Sequence, residues 1–116
     1  MDITKQKELS DLATKQIELA QEYKDARVKA VDAKVKLNLL LVAHLKEIRK
    51  EKKSVGMEMA VLMLLEREQE AKKFYHAYEY FTYTYKGLEK LIEAHQNKIS
   101  AIQSEMKYVL KGEQYG

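Results

Sequence analysis

Lys52-Lys53-Ser54-Val55-Gly56 decides the fold, because a long helical pattern ends there and a second one starts just beyond it. Upstream, 3-4 spacing gives Leu9, Leu12, Gln16, Leu19, Tyr23, Ala26, Ala30, Ala33, Leu37, Leu40 and His44, nine of eleven positions apolar. Downstream it gives Ala60, Leu64, Arg67, Ala71, Phe74, Tyr78, Phe81, Tyr85, Leu88, Ile92, His95, Ile99, Ile102, Met106 and Val109, thirteen of fifteen apolar. Heptads sustained this far specify coiled-coil-like helices. Gly56 is the first glycine before Gly87 in a chain without proline, so the breaker stands alone.

These patterns predict an all-α single domain over residues 1–116. It is a long antiparallel two-helix hairpin with helix 1 over about 3–52, a turn over about 53–56 and helix 2 over about 57–111. Ser54 is the expected N-cap of helix 2, with Glu58 favourable near the positive end of its dipole. Gly112 is expected to close it in a left-handed conformation, leaving Glu113 to Gly116 to fray. Gly87 follows a run rich in β-formers, Phe81 to Tyr85, but the apolar spacing crosses it without a phase shift. One interior glycine costs only about 1 kcal/mol, so the helix is expected to continue, with a kink or a third helix there as the alternative. A turn centred near residues 54 and 55 makes facing positions sum to about 109. Ala26, Ala30 and Ala33 then meet Tyr85, Phe81, Tyr78 and Phe74, small residues against rings. The same register brings Gln16 near His95 for a buried hydrogen bond.

A hairpin of 116 residues buries only a thin seam, so it needs a partner or a copy of itself. Helix 1 carries a second apolar stripe: Ile17, Val28, Val31, Val35, Val42 and Leu45. Beside the turn, Leu37 to Leu45 and Met57 to Leu65 contain fifteen apolar residues of eighteen and cover the whole circumference of both helices. Left in water, that slab would be a large apolar patch. The expected resolution is a four-helix bundle of two hairpins. Leu39, Val42, Met59, Leu62 and Met63 are the candidate partner-binding residues on this slab. Tyr80 and Tyr83, pointing away from the ring stripe, extend the set.

Charge is balanced, 21 basic against 18 acidic residues, for a net of +3. Lys46, Arg49, Lys50, Lys52 and Lys53 gather at the hairpin tip, where cations suit the end of a helix dipole and could also neutralise phosphates. No aromatic residue interleaves with them, so nucleic acid is the lesser reading. Cysteine is absent, which removes disulfides, thiolate zinc sites and a cysteine nucleophile. His44 with Glu47 and His76 with Glu79 have helical i,i+3 spacing, but the two histidines do not face each other, and no metal is expected. Neither a phosphate-cradling glycine loop nor a nucleophile elbow is present. The chain is therefore read as non-enzymatic and without a cofactor. Its apolar runs are too short to span a bilayer and no signal segment opens it, so a cytoplasmic, non-membrane protein is expected.

Residues 71–107, AKKFYHAYEYFTYTYKGLEKLIEAHQNKISAIQSEMK, resemble the C-terminal part of small helical early proteins encoded by tailed phages. The likeness lies in the aromatic stretch, then Leu88, Ile92, Gln96, Ile99 and Ser104-Glu105-Met106-Lys107. It implies a phage-encoded accessory protein and nothing about mechanism; with the apolar slab, the expected function is that of an accessory or adaptor protein in the host cytoplasm, acting as a homo-oligomer and binding another protein. Two alternatives stand beside it: a small inhibitor of a host enzyme or defence complex, in the manner of an anti-CRISPR, and a weak nucleic-acid binder through the basic tip.

Overall fold

The structure, a computed structural model, describes residues 3–115, with side chains described through residue 112. It is helical almost throughout: α1 spans Ile3–Glu51, α2 Met57–Arg67 and α3 Gln69–Tyr115. No strand occurs among the described residues. The chain divides into two compact units, Asp25–Thr84 around the turn, and Met1–Lys24 with Tyr85–Gly116.

In the turn unit, α1 packs antiparallel to α3. Lys29 lies over the ring of Phe81, Lys34 over Tyr78 and Lys36 over Phe74, at 5.4, 4.9 and 6.0 Å from the ring centroids. Each pair falls within three residues of the facing rule set by the turn. Ala26, Ala30 and Ala33 are buried, and Phe74, Tyr78 and Phe81 are half-buried. The alanines thus leave room for the rings, and lysine stems roof the seam from its two sides, lending both hydrocarbon cover and cation–π attraction. Nearer the turn, Leu37, Leu41, Ile48, Ala60, Leu64 and Ala71 form the core, joined by partly buried Leu40, Leu45, Val61 and Met63.

The buried line of α1 therefore runs through Leu41 and Ile48, not through Leu40 and His44 as strict heptads predict. An unsupercoiled helix drifts about 20° per heptad against a 3.5 repeat, so five heptads move the seam by one residue. His44 instead sits beside two carboxylates, Glu47 at 3.8 Å and Glu68 at 3.7 Å.

The expected single helix 2 is two helices. Glu68 is extended, with φ −115° and ψ 116°, and separates α2 from α3, although its N–H still donates to the Leu64 carbonyl. No glycine or proline causes this. Arg67, the last residue of α2, pairs with Glu51 at the end of α1 beside this break. The caps also differ from expectation. Gly56, not Ser54, is the N-cap of α2, and no side chain bonds the helix end there. Gly87 lies inside α3 without distorting it. Gly112 is helical as well, with no positive φ, and α3 runs on to Tyr115 in place of the expected fraying from Glu113; Gly116 lies outside the described residues.

In the second unit, Leu12, Leu19, Leu88 and Ile102 are the buried line. Tyr23 meets Tyr85 edge-on at 5.9 Å and donates a hydrogen bond of 2.9 Å to Glu89, while Lys5 pairs with Glu105. These contacts keep the same antiparallel register. Gln16 Oε1 and His95 Nδ1 are both shielded from solvent without a hydrogen-bond partner, so the expected bond through those atoms is not made. Val109, placed in the seam by its spacing, is exposed.

Candidate functional site

In the turn unit many apolar side chains are left in water, as are Ile3, Ile17, Leu91 and Tyr108 to Leu110 of the other unit. On α1, Val28, Val31, Val35, Leu39 and Val42 are 48–69% exposed. Helical geometry explains why. At 100° per residue they share an arc of about 80° that lies nearly opposite Ala30, Ala33 and Leu37, the residues that meet α3. On α2, Ala60 and Leu64 take the core, which turns Met59 and Leu62 outward, while Met57 is exposed as the first residue of the helix. Leu37 to Leu45 and Met57 to Leu65 are thus split in two: one half builds the core and the other half faces solvent.

Met59, Leu62 and Met63 are brought together with Leu65, Glu66 and Lys72 around an open cleft of about 370 Å³. Of these, Lys72 belongs to the first turn of α3, beyond the break at Glu68. Flexible thioether side chains over a shallow apolar floor suit a partner of irregular shape, with Glu66 and Lys72 as polar margins.

Tyr80 and Tyr83 are both exposed on α3, 66% and 84%. The Tyr80 ring packs edge-on against Phe81 at 5.2 Å, which braces it on the helix. Tyr75, half-buried at the edge of the core, hydrogen-bonds Glu79, and that carboxylate holds the phenol above its ordinary pKa.

Lys46, Arg49, Lys50, Lys52 and Lys53 are all exposed, the first three on the closing turns of α1 and the last two in the turn. Of the acids that dilute this cluster, Glu51 is paired with Arg67 and Glu47 lies against His44. The tip therefore presents a positive surface with no stacking ring in it. Among the described residues no group of three or more histidine or acidic side chains is arranged to hold a metal ion, and no helix is long and apolar enough to cross a membrane.

The sequence reading did not single out Leu91, Tyr108 or Leu110, all of which are exposed. Tyr108 and Leu110 border a second cleft of about 400 Å³ with Ser104, Lys107 and Lys111. The signal was present: three consecutive apolar residues, Tyr108-Val109-Leu110, cannot all face one seam. No protein-family model, curated protein or solved structure matches this chain.

Proposed function

We propose that this protein is a non-enzymatic helical interaction module that works as a homo-oligomer, two hairpins packing into a four-helix bundle that serves as an adaptor for another protein. One observation carries the reading: the turn unit leaves Val28, Val31, Val35, Leu39 and Val42 on α1, and Met57, Met59 and Leu62 on α2, in water. Full burial of such a side chain is worth about 1.5–3 kcal/mol. The eight are still 43–69% exposed, so covering them in each copy contributes on the order of 10 kcal/mol to a dimer. Association costs about 4–15 kcal/mol, so burial of this size is comparable with the cost it must offset. The phage resemblance of residues 71–107 agrees with an accessory role beside a viral or host protein.

Sedimentation or light scattering at micromolar concentration tests this. The wild-type chain should sediment as a dimer or larger, and Leu39→Glu with Leu62→Glu should dissociate or aggregate it. A wild-type monomer that stays soluble refutes the homo-oligomer. A second reading then takes its place, supported by the methionine-lined cleft: the surface docks a foreign protein, as an inhibitor would, and a pull-down that loses its partner on Met59→Glu identifies it.

A further inference from the structure

The exposed stripe of α1 has a symmetry that its exposure alone does not require. Val28, Val31, Val35, Leu39 and Val42 lie at −7, −4, 0, +4 and +7 about Val35. Turned end over end, the stripe reproduces itself: Val28 exchanges with Val42, Val31 exchanges with Leu39, and Val35 stays in place. We infer that this face pairs antiparallel with the same face of a second copy, with the two-fold axis passing beside Val35. The inference rests on the homo-oligomer reading and names its contact surface and direction.

Charge selects the antiparallel direction. Lys46 closes the stripe on the turn side and introduces the exposed basic tip, Arg49, Lys50, Lys52 and Lys53. A parallel copy would lay two such tips side by side. The antiparallel copy holds the two Lys46 residues about 33 Å apart along the helices. It also sets opposite charges across one edge of the stripe. Asp32 falls two residues from the level of Lys36 of the second copy, while Lys24 and Lys46 of the second copy share a level on the stripe with Asp25 beside them to offset the like charges. Each contact occurs twice by symmetry, as an isologous interface demands. Asp32 and Lys36 already pair within α1 at 3.0 Å on this edge, where Lys36 also lies over the Phe74 ring. On the other edge Lys34, the cation nearest the axis, leans over the Tyr78 ring and away from the stripe. Four of the five stripe residues are valines, whose short side chains let two helices approach closely.

Because the chain contains no cysteine, single cysteines report the geometry directly. Val35→Cys should oxidise to a covalent dimer in native buffer and not in denaturant. A Val28→Cys copy mixed with a size-tagged Val42→Cys copy should form the mixed dimer roughly tenfold faster than either variant links to itself, since disulfides require close Cβ atoms. Self-linked Val28→Cys as the dominant product would mean parallel helices and overturn the inference. If none of these variants link while the wild-type chain sediments as a dimer, the inference fails and the homo-oligomer reading survives. A monomeric wild type ends both. Val35→Glu provides an independent readout: it should lose the dimer while keeping its helical circular dichroism, because Val35 is not part of the hairpin core. A dimer that persists in Val35→Glu also overturns the inference.

Discussion

Replacing Ala30 with leucine tests the seam where it is narrowest. Ala30 is 2% exposed, and Lys29 next to it and Lys34 one turn on lie over Phe81 and Tyr78, which places those rings across from it. A leucine adds three carbons to a site walled by two rings, and overpacking of this kind costs about 1–3 kcal/mol. For 116 residues the entropy of unfolding is roughly 0.24 kcal/mol/K, so the melting temperature should fall by about 4–12 °C. Thermal melts followed by circular dichroism would show this, with the exposed substitution Ala43→Ser as a control that shifts the midpoint far less. The cause can be isolated by a double-mutant cycle. Phe81→Ala opens the space that the leucine needs, so the pair should be less destabilising than the sum of the single changes by about 1 kcal/mol. An unchanged or raised melting temperature in Ala30→Leu, or strict additivity with Phe81→Ala, would mean that Ala30 does not face that ring.

Gly87→Ala should raise stability by about 0.5–1 kcal/mol in denaturant titrations, because an added Cβ meets nothing within 4 Å and the backbone there is already helical. A loss of stability would mean that this turn of α3 is tightly covered in the assembled protein. For Arg67 with Glu51, a cycle of alanine variants should return a coupling of only about 0.2–1 kcal/mol, since the pair is partly exposed. That coupling should shrink further at high salt; a value of several kcal/mol would show that the junction is far drier than its exposure implies.

The hairpin was legible because two kinds of signal agreed. The apolar spacing located the seam, and the distribution of small and large residues along it fixed which segments meet, so Ala26, Ala30 and Ala33 could be set against Phe74, Tyr78 and Phe81. Continuity through Gly87 was legible for the same reason: phase carries across a glycine when packing on either side is strong. The break at Glu68 was not, because Arg67-Glu68-Gln69-Glu70 is composed of good helix formers. The displacement from Leu40 to Leu41 also escaped a strict heptad count, which ignores the difference between 3.5 and 3.6 residues per turn. At the candidate surface, sequence found the apolar excess near the turn but could not divide it. Only packing shows that Leu41 and Leu64 face inward while Leu39, Val42 and Leu62 face out.

The alternation of alanine and aromatic rings makes alignment a property of the helices themselves. Sliding α3 by one heptad in the turn unit would drive a ring against Leu37 and leave an alanine facing empty space, so neighbouring alignments are penalised at both ends. The segment from Lys52 to Gly56 consequently does not act as a ruler. Lengthening it adds loop-closure entropy of only about 0.6 kcal/mol per doubling, against several kcal/mol for a misaligned seam. The tip is therefore a natural insertion point, where a peptide tag or a reporter can be spliced in without the two strands of the hairpin losing their place.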